Sequence, residues 1–219
     1  EEQTELFCEA AEFFKETRQD EEQATIFYEK ALEATPDYLA AVNPLAELHF
    51  RSENWQRAAE LYRSAVQGLD PAKDTRELAQ KHYRLGYIAE KLEDQNGALN
   101  HYQEAFDLDP TYLPALEGLA QALLSAEAWE EAHKVFQTML IHHRDSLTEA
   151  EVVDIQWQLG DLALKLGDTD RAIKQLEKAL EIDSDHPASL RTLSQLARDS
   201  GRFDDELVPV ETPDGALET

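Results

Sequence analysis

The sequence predicts an all-α chain of stacked antiparallel helix pairs, an α-solenoid, on three observations. An alanine recurs at Ala24, Ala58, Ala98, Ala132 and Ala172, in steps of 34, 40, 34 and 40 residues. Four places after each comes a large apolar residue (Tyr28, Tyr62, Tyr102, Phe136, Leu176), and seven places after comes Ala31, Ala65, Ala105, Met139 or Ala179. Positions i, i+4 and i+7 share one helix face, so the pattern is a small, large, small stripe suited to close helix packing. Finally, 219 residues with 42% hydrophobic content and only 8 Gly and 8 Pro suit an ordered helical chain. A period in this range marks units that bury their apolar faces on their neighbours.

The first helix of each pair is read 13 and 12 residues upstream of the alanine, at Leu45-Ala46, Leu85-Gly86, Leu119-Ala120 and Leu159-Gly160. Turn signals separate the halves at Asn54, Asp94, Gly167-Asp168 and Gly201. Pairs close at Thr35-Pro36-Asp37, Asp109-Pro110 and Asp183-Ser184-Asp185. The expected units run about 5–37, 38–72, 78–112, 113–146 and 152–186, a single solenoid within residues 1–203. In the first unit Phe7, Ala10, Ala11 and Phe14 fit only if its turn is one residue longer. Pro44 falls inside the first helix of the second unit, where it forfeits a hydrogen bond and invites a kink.

The two 40-residue steps insert six residues around 67–77 and 141–151, which should lengthen a helix and its connection rather than add a domain. Thr148-Glu149-Ala150-Glu151 reads as a capping box reopening a helix, and Asp74 with Glu77 offers a second. Residues 187–200 repeat the first-helix pattern, but Glu206-Leu207-Val208-Pro209 and Thr212-Pro213-Asp214-Gly215 break any second helix. Residues 204–219 read as an acidic flexible tail or linker. The helix at 187–200 is either a terminal cap or the start of further repeats.

With its Leu-Gly, Ala, Tyr or Phe, Ala and Pro places in five copies, the chain resembles the tetratricopeptide repeat family over about residues 5–203. The resemblance implies a right-handed superhelix acting as a non-enzymatic protein-interaction scaffold. It also implies a concave groove lined by first-helix residues two, five and nine places into each unit. Carried across position by position, the groove residues are Asn43 and Glu47, Tyr83 and Tyr87, Glu117 and Gln121, Trp157 and Asp161, and Arg191 on the terminal helix. Tyr83, Tyr87 and Trp157 fall outside the packing stripe. They are either exposed aromatic anchors, the residue type that dominates binding energies, or packing groups between units. Glu47, Glu117 and Asp161 beside them suit a partner peptide or helix carrying Lys or Arg.

Catalysis is not expected. No Gly-rich phosphate loop, nucleophile elbow, metalloprotease His pair or calcium loop occurs, so neither a cofactor nor a metal is expected. His142-His143 reads as exposed residues at a helix end, and His49, His82, His101, His133 and His186 read as isolated. Lone Cys8 provides neither a disulfide nor a cysteine zinc site and favours a reducing compartment.

The net charge of -26 repels phosphate backbones and anionic lipids, so nucleic-acid binding and membrane insertion are disfavoured. A soluble, cytoplasmic protein is expected, with a basic partner segment or simply a solvated acidic surface. Self-association through residues 187–207 is the rival mode. A third reading, a docking or regulatory arm of a larger protein, follows from a chain that opens on Glu1 and is expected to be a segment.

Overall fold

The computed structural model describes residues 2–199; Gly201, Phe203 and the tail 204–219 lie outside the described residues. It forms two compact units, up to His143 and from Arg144 onward. The first unit holds four helix pairs: α1 (Glu2–Glu12) with α2 (Glu21–Ala34), α3 (Leu39–Arg51) with α4 (Trp55–Gln67), α5 (Thr75–Lys91) with α6 (Gln95–Leu108), and α7 (Leu113–Ser125) with α8 (Trp129–His143). The second holds α9 (Glu149–Lys165), α10 (Thr169–Ile182) and α11 (Pro187–Asp199). Among the described residues there is no strand, and no helix is long and apolar enough to cross a membrane.

Within the first unit each helix packs on the next in sequence up to α7 on α8, and α5 also reaches α7. In the second, α9 packs on α10 and α11 packs on both. The five repeat alanines are buried, and so are Tyr28, Tyr62, Tyr102, Phe136 and Leu176 four places on. Burying a side chain of that size contributes about 1.5–3 kcal/mol, so the stripe legible in the sequence is the source of much of the helix-pair stability.

The small residues have a steric task. A Cβ at Gly86 of α5 would stand 2.7 Å from Tyr102 ring carbons, and one at Gly118 of α7 would stand 2.6 Å from them. Carbon atoms pack at about 3.5–4.0 Å, so the tyrosine of α6 seats only because both neighbouring helices lack a side chain there.

The turns inside the pairs share one geometry. A residue with positive φ stands five places before each repeat alanine: Gln19, Glu53, Glu93, Glu127 and Gly167. Gln19 therefore corrects the expectation of a longer first turn. The extra residue is absorbed inside the first helix, where Phe13–Arg18 make a π-helical turn. The following helix is then capped by Asp20, Asp94 or Asp168, whose carboxylates accept the N–H of Gln23, Gly97 and Arg171.

Both inserts lengthen first helices. α5 and α9 have 17 residues, against 13 in α3 and α7. Thr148 closes the expected capping box: its N–H donates to Glu151 Oε2 at 2.7 Å, and Glu151 N–H donates to Thr148 Oγ1 at 3.3 Å. The Thr148 hydroxyl also donates to Glu151 Oε2 at 2.7 Å, and this bond, with that from the Thr148 N–H, holds the Glu151 carboxyl below its ordinary value. The second expected box does not form. Asp74 is the N-cap of α5, but its carboxylate accepts the backbone N–H of Asp70 at 2.9 Å. Glu77 turns instead to Asn43 and Lys81. Helix α3 continues through Pro44.

Candidate functional site

In the first unit the predicted groove residues lie on α3, α5 and α7. Glu47 is half-buried and already engaged. The buried Tyr62 hydroxyl donates to its Oε2 at 2.8 Å, and Arg84 of α5 donates to its Oε1 at 3.2 Å. The Arg84 guanidinium also lies 4.2 Å from the Phe50 ring centroid, a cation–π contact worth about 0.5–1 kcal/mol at a partly exposed site. Burial, then the hydrogen bond and charge of Glu47, push the Tyr62 phenol far above its ordinary range. The expected acidic selector is thus one corner of a network tying α3, α4 and α5 together.

Tyr83 and Tyr87 are half-buried, and both pack between repeats. Tyr87 lies 5.3 Å from Phe50 and 6.0 Å from Trp55, centroid to centroid, with Lys91 Nζ 5.1 Å from its ring. Tyr83 meets Tyr102 at 6.0 Å and Tyr112, edge-on, at 5.6 Å. Both rings thus make contacts across repeat boundaries while each keeps part of its surface open.

Asn43 donates to Glu77 Oε1 at 3.4 Å, while its own Oδ1 is buried without a hydrogen-bond partner. Glu117 and Gln121 are exposed on α7. Gln121 opens on a cleft of about 600 Å³ that is also lined by Glu90, Glu93, Asn96 and Ser125, at the ends of α5, α6 and α7.

The second unit presents Trp157 and Asp161 on α9. Trp157 is half-buried, and its indole Nε1–H has no acceptor. Asp161 pairs with Lys165 at 3.0 Å. Arg191 of α11 is exposed and donates from Nε to the Pro187 carbonyl one turn back, at 3.1 Å.

One grouping departs from the sequence reading. His82 and His101, expected to be isolated, stand together: His82 Nδ1 is 3.4 Å from His101 Nδ1, and the two are 2.6 and 3.1 Å from Glu104 Oε2. Burial pushes the His82 imidazole below its ordinary value against the opposing pull of Glu104, with His101 adding to the downward shift.

The signal for this cluster is present in the numbering. In an antiparallel helix pair, residues at similar distances on either side of the turn face one another. His82 lies 11 residues before Glu93 and His101 8 after, just as Tyr83 and Tyr102 lie 10 before and 9 after. Aligning repeats compares equivalent positions and does not pair residues across a turn.

Comparison with known proteins agrees with the architecture. The tetratricopeptide repeat family matches residues 27–74, 91–151 and 153–186. DnaJ homolog subfamily C member 7 of Homo sapiens is 29% identical over 148 residues, covering 60% of this chain, and the Mus musculus protein matches equally. The match spans 30% of the length of those relatives.

Among solved structures, the crystal structure of YrrB, described as a TPR protein with an unusual peptide-binding site, has a TM-score of 0.64 at 21% identity, covering 86% of this chain and 90% of that one. MamA has a TM-score of 0.62 at 20% identity, covering 95% and 99%. At such identities the likeness speaks to the fold. Five buried alanines each with a large residue four places on, their shared turn geometry and these three matched stretches lead to one assignment: the chain belongs to the tetratricopeptide repeat family, a family of non-enzymatic protein-interaction scaffolds.

Proposed function

We propose that the first-helix faces of this scaffold capture an extended or helical partner segment carrying Lys or Arg. The observation that carries the reading is the hydrogen-bonding state of the fifth place in the repeat. Asn43 on α3 and Trp157 on α9 occupy that place in their repeats, and each keeps a buried polar atom without an acceptor or donor among the described residues. A buried polar group left unpaired costs about 1–3 kcal/mol, which a partner's backbone or side chain would recover on binding. Tyr83, at the same place on α5, adds a half-buried ring whose contacts already hold it in one orientation, so little entropy is lost on docking.

Charge acts on the partner mainly at a distance. Glu47 and Asp161 are paired with Arg84 and Lys165, so a basic segment must compete for them. The net charge of -26 still draws a cationic segment toward the surface and raises its association rate at low salt.

An arrayed peptide library divided into Lys/Arg-rich and Asp/Glu-rich halves tests this on the full chain at low and high salt. Preferential, salt-sensitive capture of the basic half, weakened in Asn43→Ala and Trp157→Phe, supports the reading. Equal capture of both halves, or indifference to both substitutions, overturns it. Self-association is the second reading, favoured by α11, where Leu190 stays exposed and Ser189 is the buried residue. A mass that rises with protein concentration, and stops rising in Leu190→Glu, would select it.

A further inference from the structure

We propose that His82, His101 and Glu104 form a binding site for a divalent transition-metal cation, with zinc as the best-matched ion. Two imidazole nitrogens and one carboxylate oxygen are a donor set that zinc accepts, leaving a fourth position open. Four-coordinate zinc holds such donors at about 2.0–2.1 Å, so tetrahedral geometry sets them about 3.3 Å apart. The donor atoms here stand 3.4, 3.1 and 2.6 Å from one another. Two of the three edges already fit. The shortest runs to Glu104, the exposed member of the set, which is free to widen it by a rotamer adjustment.

The backbone supplies the preorganisation. His101 and Glu104 are three residues apart on α6 and share a face, and His82 comes from α5, against which α6 packs. Both histidines are half-buried, so their rings have little freedom to turn away. Among the described residues no other group of three such side chains converges in this way.

Without a cation, two Nδ1 atoms and a carboxylate oxygen converge on one point, and their lone pairs oppose one another wherever a proton is missing. A cation satisfies all three together. The imidazole pair disfavours magnesium and calcium, which take oxygen ligands, and the absence of a thiolate favours zinc over Cu(I). Bound metal would cross-link α5 to α6 and fix the helix turn that presents Tyr83, the residue after His82.

The experiment is a calorimetric Zn²⁺ titration of the chelator-treated full chain, with Co²⁺ as a spectroscopic substitute. One ion per chain is expected, together with the visible absorption of four-coordinate cobalt. His82→Gln and His101→Gln should each weaken binding beyond the roughly 10–100-fold that loss of an outer-shell partner costs. Glu104→Gln, at an exposed position, should also weaken binding with helicity intact, which separates ligand loss from misfolding. The His142→Ala/His143→Ala double variant should bind as the parent does. Absence of saturable binding overturns the proposal. So does binding that persists in His82→Gln and Glu104→Gln, or binding that disappears with His142 and His143.

Discussion

The seat of Tyr102 between two glycines supports a quantitative prediction. Gly118 lies inside α7, so on helix propensity alone Gly118→Ala should stabilise the chain by about 1 kcal/mol. The structure predicts the opposite sign. The new methyl carbon would stand 2.6 Å from two carbons of the Tyr102 ring, about 1 Å inside ordinary contact. The ring cannot retreat, because on the α5 side Gly86 is already so close that its own Cβ would stand at 2.7 Å. Overpacking of this kind costs about 1–3 kcal/mol. With the propensity gain of about 1 kcal/mol set against it, Gly118→Ala is expected to destabilise by up to about 2 kcal/mol.

The fifth repeat provides the comparison. Gly160 occupies the place of Gly86, but its Cβ would stand 2.9 Å from Leu176 Cγ and 3.3 Å from the Ala172 carbonyl oxygen, looser contacts than the 2.7 Å that a Cβ at Gly86 would make with two Tyr102 ring carbons. Gly160→Ala should therefore cost less than Gly86→Ala. Denaturant unfolding, with hydrogen exchange of α5–α7 amides as the local probe, reads the difference. A Tyr102→Leu background should relieve the Gly118→Ala penalty by at least about 0.5 kcal/mol of coupling. Stabilisation by Gly118→Ala, or strict additivity with Tyr102→Leu, would refute the argument.

Glu53, Glu93 and Glu127 hold positive φ where Gly167 does so in the fifth repeat. Glu93→Gly should raise stability by up to about 1 kcal/mol, the left-handed strain of about 1–2 kcal/mol less the added freedom of glycine when unfolded; a fall in the unfolding midpoint would count against it. Arg84→Ala removes both the Glu47 ion pair and the Phe50 contact and should cost about 1–2 kcal/mol, with Arg84→Lys recovering only part because lysine lacks the planar fork. Equal stability of the alanine variant and the parent would show the network to be decorative. Thr148→Ala should lower the exchange protection of the first turn of α9. That loss should shrink in acid, because the folded Glu151 pKa is depressed and its contribution, present above the unfolded value, disappears as pH falls through the folded one.

Burial, reinforced by Glu12 for Tyr28, Glu47 for Tyr62 and Glu90 for Tyr102, raises all three phenol pKa values, that of Tyr28 to about 12. The folded state therefore holds these protons longer than the unfolded chain, whose tyrosines titrate near about 10. Their contribution is complete below that pH and is lost as pH rises through the folded values. Phenolate absorbance from these rings should appear only together with loss of helix signal in alkali; titration at the free-tyrosine pH with helices intact would contradict it.

The fold was legible because solenoid packing is local and periodic. The alanine at each repeat and the large residue four places on record which helix face is buried, and a period of about 34 residues makes the record redundant. The π-helical turn at Phe13–Arg18 was only half legible: the register showed one residue too many, but whether turn or helix absorbs it depends on the Phe7, Phe14 and Phe27 contacts that hold the helix. Asp74 and Glu77 matched the capping pattern at Thr148 yet chose other partners, because Asn43 and Lys81 offer Glu77 alternatives that Glu151 lacks.

The groove residues show the opposite limit. First-helix positions off the packing stripe admit two readings, exposed anchor or packing group, because a helix in a stacked array meets the next repeat as well as its own partner. Tyr87 reaches back to Phe50 and Trp55, and Tyr83 reaches forward to Tyr112. A residue at such a place has two competing uses, and hydrophobicity does not distinguish them. Unsatisfied polar valence does, because packing removes an exposed ring's need for a partner but leaves an orphaned Asn43 oxygen or Trp157 N–H still lacking one. On that criterion Tyr87→Leu should perturb stability more than binding, whereas Asn43→Ala should perturb binding more than stability. Measuring both quantities on both variants tests the separation, and a binding loss confined to Tyr87→Leu would reverse the assignment.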